Sequence, residues 1–440
     1  MARRFNATDT GFDTVFAHFL NEPRGPEDDV AGAVTAIIAD VRARGGDAVA
    51  EYTAKFDQLE LNKATLQSDA IDLAALADAC PADLRAAIDF AHDRIAAYHE
   101  AQRPADHRFT DEAGVELGWR WTALDSVGVY VPGGLASYPS SVLMNAVPAR
   151  IAGVERVVMV APASGGALAP GVAYAALKAG VDAYYPIGGA QAVAALAFGA
   201  GDLLPVDKIV GPGNAYVAEA KRQVFGAVGI DTIAGPSEIL VVADASANAD
   251  WIAADLLSQS EHDASSQSIL ITVDKAVGNA VEEAVENQLN SLSTGARARI
   301  AWDTHGAIIE VSDLAMAADI ANRIAAEHLE LCVADPDAML SSIRHAGAVF
   351  LGHHTPEALG DYVTGSNHVL PTSRAARFSS GLGLFDFLKR MSVQRASPEG
   401  FAALAPAALT LAEAEGLPAH ARSVSIRSNM PVRGEPGSDG

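Results

Sequence analysis

The apolar positions of this chain change their period several times, and each change marks an element. In "PEDDVAGAVTAIIADVRARGGDAVAEYTAKFD", Val30, Val34, Ile37, Ile38 and Val41 recur at helical spacing, with acidic residues ahead of them and Gly45-Gly46 as the stop. "PADLRAAIDFAHDRIAAYHEAQ" predicts a second helical block. From about residue 126 the texture becomes β-rich: "VGVYVPGG", "RVVMVAPAS", "AYYPIGGAQ" and "KIVGPGN" are short runs that end in Gly or Pro. Helical segments such as "APGVAYAALKAG" and "AQAVAALAFG" follow them, and strand, Gly-rich turn and helix in repetition predict a parallel α/β sheet. A second series follows in "EILVVAD", "SILITVD", "GAIIEV", "LELCVAD" and "GAVFLG".

The expected architecture is α/β, with two Rossmann-like parallel-sheet domains and helical N- and C-terminal arms. Residues 1–25 are expected as an arm. Residues 26–125 with 235–381 are expected to form the first α/β domain, 126–234 the second, and 382–440 a helical arm with a disordered tail, "RGEPGSDG". Ligands of open parallel sheets bind beyond the carboxyl ends of the strands. The Gly-rich turns therefore stand where a ligand is expected, although no GxGxxG is present and tight turns need glycine anyway.

Composition narrows the function classes. Half of the 440 residues are hydrophobic and 20% are charged, enough for large cores. The net charge of −24, with no Lys/Arg cluster, argues against a nucleic-acid partner. No apolar run approaches the ~20 residues that span a bilayer. Two cysteines, Cys80 and Cys332, give no disulfide framework, and "MARRFNATDTGF" has no secretory apolar core. The expectation is a protein of the reducing cytoplasm.

Four places carry candidate chemistry. In "DLLSQSEHDASSQ", Gln259 and His262 are three apart and share a helical face with Asp255, one turn earlier; this suits a metal, or merely a polar helix end. In "IANRIAAEHLELCVAD", Leu314, Ala317, Ile320 and Ile324 keep the helical period, and Leu329, Leu331 and Val333 then alternate. Glu327 and His328 fall on that junction, two bases of different strength suited to acid–base work; the other reading is a dipole-stabilised histidine at a helix end. "LGDYVTGSNHVLPT" places Asp361, Asn367 and His368 in a Gly-punctuated loop, and "LAEAEGLPAHARSV" positions Glu415 and His420 at a tight helix break.

Taken together, these stretches resemble one family. "VGVYVPGGLASYPSSVLMNAVPARIAGV", "IGGAQAVAALAFG", "KIVGPGNAYVAEAKR", "GIDTIAGPSEIL", "LLSQSEHD", "AAEHLEL", "TPEALGDYVTGSNHVLPT", "ARFSSGL" and "EGLPAH" resemble the histidinol dehydrogenases, in order and along nearly the whole chain. The resemblance implies a zinc-dependent oxidation of L-histidinol to L-histidine with two NAD, the last steps of histidine synthesis. It implies zinc ligands Gln259, His262, Asp361 and His420, and an acid–base pair of Glu327 and His328. Ser237, His368 and Glu415 are implied as substrate contacts alongside Gln259, His262, His328, Asp361 and His420. Tyr130, Gln191 and Asn214 match positions that touch the nicotinamide cofactor. It also implies a homodimer in which Glu415 and His420 complete the partner's site.

Two positions depart from the family pattern. Leu135 stands where the family usually has Thr, beside the cofactor loop, and Ser260 where it often has Ala. The rival readings are a related dehydrogenase acting on another polar alcohol, a zinc hydrolase that needs no NAD, and a binding protein that kept the fold. Cys332, four residues from His328, is expected not to be a nucleophile, since a strand rises ~3.3 Å per residue.

Overall fold

The computed structural model describes residues 1–24, 30–67, 72–133, 138–166, 168–233 and 235–428; Leu135 and the "RGEPGSDG" tail lie outside them. The chain divides into two units. Residues 1–102 with 124–387 form the larger, and residues 103–123 with 388–440 the smaller.

The larger unit holds two parallel sheets, in agreement with the doubly repeated pattern of short apolar runs. The first has six strands, in the order Arg3–Asn6, Ala307–Glu310, Gln267–Thr272, Glu238–Ala243, His328–Cys332 and Ala348–Leu351. The second has five, in the order Ala183–Tyr185, Arg156–Val160, Ser126–Tyr130, Lys208–Val210 and Gly229–Ile230. Every pairing in both sheets is parallel. Strands such as Glu238–Ala243, Gln267–Thr272 and Ser126–Tyr130 are buried throughout, which explains their unbroken apolar texture.

Two features differ from the sequence expectation. Residues 1–25 do not stand apart as an arm: Arg3–Asn6 is the edge strand of the six-stranded sheet, and the helix Phe12–Asn21 buries Phe12, Phe16 and Phe19 in its core. Three phenylalanines on one face are too much apolar surface to leave in water. The helix Val30–Arg44 buries Val34, Ile37, Ile38 and Val41 against the Ala-rich helix Gly189–Phe198, so these residues share the core of the five-stranded sheet rather than that of the later strands.

The smaller unit is not all helix. His107–Thr110, Val115–Ala123 and Leu388–Ala396 form an antiparallel sheet of three strands, with Val115–Ala123 in the middle. The helices Pro398–Ala414 and Pro418–Ser428 follow. Their break at Gly416 and Pro418 is where the Gly-then-Pro pattern puts it.

Candidate active site

Most of the polar candidates meet at the amino ends of two neighbouring strands of the six-stranded sheet. Glu238 opens one of these strands and His328 the other, and His328 lies in register with Ile239. The preceding helix, Leu314–Ile324, ends on Ala325 in a left-handed conformation, which turns the chain from helix to strand just before Glu327. That is the change of period visible in the sequence.

The His328 ring has a defined tautomer. Its Nδ1 lies 2.9 Å from the Glu238 carbonyl oxygen, which can only accept, so Nδ1 carries the proton. Nε2 is left with a lone pair, and it is buried without a hydrogen-bond partner. The Asp361 carboxylate lies 3.9 Å from it. Burial holds the imidazole pKa below the ordinary value, against the opposing charge of Asp361, so the ring is neutral near pH 7. Glu327 accepts the Glu238 N–H at 3.0 Å, and burial, with Glu238 and Asp361 nearby, pushes its carboxyl well above the usual range.

Around this pair lies a second set of acids. His328, Glu330 and Cys332 share one face of their strand, while Leu329 and Leu331 enter the opposite core. Glu330 accepts the Glu357 N–H at 2.7 Å and hydrogen-bonds with Asp255, whose pKa is pushed up to about 6 by burial. Glu357 is itself buried, and burial together with Asp361 raises its pKa well above normal. Among the described residues, His328, Glu357 and Asp361 offer ligand atoms within 4.8 Å of one another, close enough to share one metal ion. Asp361 comes from the helix Glu357–Tyr362, and its main-chain oxygen meets His368 Nδ1 at 3.0 Å.

Gln259 ends the helix Ala249–Ser260, whose Asp255, one turn earlier, reaches Glu330. Its side chain is completely buried, yet neither amide atom has a partner among the described residues. An orphaned buried amide is costly unless a ligand satisfies it. His262 follows in an exposed turn, near enough for its charge to act on His328 and His368. An amide oxygen, imidazoles and a carboxylate are a donor set that suits zinc. Burial, helped by the nearby acids Glu330 and Asp255, pushes the Cys332 thiol pKa up, which disfavours a nucleophilic thiolate.

The other candidates fall elsewhere. Ser237 is half-buried beside Glu238. Tyr130 closes its strand in the five-stranded sheet, and its hydroxyl accepts the Gly189 N–H at 3.0 Å. Burial raises that phenol to about 12. Gln191 is buried one turn into the same helix as Gly189. Asn214 caps the helix Ala215–Val224, accepting from the amides of Tyr216 and Val217. Tyr130 and the "GPGN" turn lie at the carboxyl ends of neighbouring strands, where the strand order reverses and a nucleotide ordinarily binds.

That turn is firmly held. Lys221 and Asp231 form a buried ion pair; Lys221 Nζ donates to the Gly211 carbonyl at 3.0 Å, and Asp231 accepts the Gly211 N–H at 2.7 Å. Glu415 and His420 belong to the smaller unit, and both are exposed. Sequence reasoning passed over Glu357, Glu330 and Glu238. Glu357 precedes Asp361 by four residues and Glu330 follows His328 by two, so helix and strand periods put each on the face of its known neighbour.

Comparison with known proteins gives this arrangement a family. The family model for histidinol dehydrogenase matches residues 20–428. The chain belongs to the histidinol dehydrogenase family. The histidinol dehydrogenase of Mesorhizobium japonicum is 59% identical over 430 residues, covering 98% of this chain and all of the relative. That of Rhizobium meliloti is 57% identical over 434 residues, covering 99% of this chain and all of the relative. The crystal structure of histidinol dehydrogenase from Elizabethkingia anophelis superposes with a TM-score of 0.92 at 34% identity, over 97% of this chain and 98% of that one. Histidinol dehydrogenases are oxidoreductases, and this chain is one by membership. No helix among its described residues is long and apolar enough to cross a membrane.

Proposed function

We propose that the chain oxidises L-histidinol to L-histidine by way of the aldehyde, using zinc and two NAD, as the last steps of histidine biosynthesis. The observation that carries the proposal is the buried His328 ring, with its unpartnered Nε2 3.9 Å from the Asp361 carboxylate and its Nδ1 3.8 Å from the Glu327 carboxylate, in a member of this family. Gln259, His262 and Asp361 are the residues that would hold the metal, with His420 of a second copy. Bound there, zinc would supply a positive centre that grips the substrate's imidazole and amine. Tyr130, Gln191 and Asn214 are the residues that would hold NAD, which would supply the hydride acceptor. Ser237, His368 and Glu415 complete the substrate pocket in this reading, with Glu415 also from the second copy of a homodimer.

The protein's own groups then divide the proton work. His328 Nε2 takes the hydroxyl proton as the alcohol carbon loses hydride. Water adds to the resulting aldehyde to give a gem-diol, with Glu327 taking the water's proton and protonated His328 returning its own to the carbonyl oxygen, which frees Nε2 to act again. His328 deprotonates the gem-diol as the second hydride leaves. Glu327 is fitted to its step because its raised pKa makes it a stronger base than an ordinary carboxylate once ionised.

The test is absorbance at the NADH band with histidinol, with and without a chelator, beside elemental analysis of variants. His262→Asn is expected to lose most zinc and activity, whereas the control His92→Asn keeps both. His328→Asn is expected to keep zinc and lose turnover; loss of zinc there would make His328 a ligand, with Glu357 and Asp361, and not the base. Turnover of histidinol without NAD would favour a hydrolase, and oxidation of other polar alcohols in preference would favour the related dehydrogenase.

A further inference from the structure

One residue holds both members of the acid–base pair. The Glu238 N–H binds Glu327 Oε2 and the Glu238 carbonyl binds His328 Nδ1, at 3.0 and 2.9 Å. The tautomer of the imidazole and the place of the carboxylate are therefore set by the main chain at a single position. What fixes that position is unusual for a strand buried in a sheet. The Glu238 side chain is 5% exposed and forms an ion pair with Arg24, itself 12% exposed. Its Oε1 also accepts the Ser373 N–H at 3.1 Å. The N-terminal segment and the loop at Ser373 thus converge on one carboxylate.

A strand start needs no charge, and this one is costly. Burial works against the ionised form, the Glu327 carboxyl also faces it, and Arg24 and Arg374 supply the opposing positive charge. A buried ion pair adds little net stability compared with apolar packing, so its value lies in fixing geometry. We propose that the Arg24–Glu238 ion pair is the positioning device of the Glu327–His328 pair, anchoring the residue-238 main chain so that His328 presents a bare Nε2. Arg24 and Glu238 are positioning residues in this role, since neither side chain touches the reacting atoms. The catalytic part of the proposal rests on the functional reading above; the geometric part does not.

The experiment uses the full-length protein, labelled with ¹⁵N-histidine. In the parent, His328 should give a protected, downfield Nδ1–H proton with an unprotonated Nε2, identified by its absence from His328→Asn. Arg24→Met should lose that signal or mix the tautomers. Misplacement of a reacting group by about 1 Å costs on the order of 100-fold, and kcat should fall by ~10- to 100-fold, within that limit. Both KM values and the zinc content should stay close to the parent's. Arg24→Lys should restore most of the signal and rate, whereas Arg24→Met combined with Glu238→Gln, which removes the ion pair without leaving an uncompensated charge, should not.

An unchanged His328 signal and kcat in folded Arg24→Met would overturn the proposal. So would recovery of signal and rate in the neutral double variant, because the loss in Arg24→Met would then come from an uncompensated buried charge and not from a missing anchor. Should Arg24→Met not fold, Arg24→Gln carries the same comparison. If the parent does not oxidise histidinol, the functional reading fails, and the NMR comparison still decides the clamp.

Discussion

At the scale of single residues, the proposed chemistry rests on three unsatisfied atoms, His328 Nε2 and the two amide atoms of Gln259, and on the displaced pKa values of Glu327 and His328. Glu327→Gln keeps shape and hydrogen bonding but cannot accept a proton. Positioned bases contribute about 10²–10⁴-fold, and the aldehyde step, which needs water activated, should slow within that range while alcohol oxidation slows less. Single-turnover kinetics begun separately from histidinol and from histidinal measure this; equal slowing would show that Glu327 and His328 act as one unit. A second prediction concerns His99, far from this chemistry in sequence. It is wholly buried, with Nδ1 donating to the Ile95 carbonyl, and burial lowers its pKa. Below about pH 6.5 the unfolded chain binds a proton that native His99 resists, so stability is present above that pH and lost as pH falls. His99→Gln should therefore show a smaller fall in Tm between pH 7 and pH 5. His305, His328 and His368, lowered in the same sense, leave part of the slope in place. A Tm profile parallel to the parent's would remove His99 from the account. Residue types and motif spacings made Glu327 and His328 legible in the sequence. The Glu238 main chain that sets their geometry was not legible, because a backbone contact across 90 positions leaves no mark on side-chain pattern.

Secondary-structure elements convert those residues into a site. The helix Ala249–Ser260 and the helix Glu357–Tyr362 bring Gln259 and Asp361 to the strand end that His328 occupies. The alternation of Leu329, Leu331 and Val333 was readable beforehand and was confirmed, because a strand with two faces must alternate. The three-stranded antiparallel sheet was not readable: "VELGWRWTA" and "LKRMSVQRA" lie far apart, and their mixed, half-exposed faces resemble loop. At the carboxyl end of its strand in the five-stranded sheet, Gly211 sits at φ +113°, and a Cβ there would lie 2.1 Å from the Tyr130 carbonyl oxygen. Gly211→Ala must strain or displace the turn, at a cost on the order of 1–3 kcal/mol for the conformation alone. NAD affinity should fall at least about 10-fold, since 1.4 kcal/mol is a factor of ten, and Tm should drop. Zinc content should not change. Unaltered NAD binding by titration would dissociate this turn from the cofactor.

For the whole molecule, the question is whether one chain suffices. Glu415 and His420 are exposed on the smaller unit, yet the family resemblance places both in the site. If a second copy supplies them, inactive His262→Asn and His420→Asn chains complement one another, because one hybrid site keeps both native histidines. Mixed and exchanged subunits should regain about a quarter of parental activity for random pairing of two equal pools. No recovery after verified exchange would put each site within one chain. The sequence reported the two parallel sheets at this scale but misassigned the ends of the chain. Three phenylalanines in ten residues, in the helix Phe12–Asn21, were the overlooked sign that the N-terminus is core.

In the proposed reading the two sheets are used from opposite ends, the five-stranded one at its carboxyl ends and the six-stranded one at its amino ends. The turns that leave the carboxyl ends of the six-stranded sheet, such as Ala245 and Ser246 after Glu238–Ala243, are exposed and carry none of the proposed machinery. Evolution and the protein engineer have the same freedom there. A tether to a solid support, a reporter peptide or a neighbouring enzyme of a fused pathway could be spliced at that edge, one strand-length away from the chemistry.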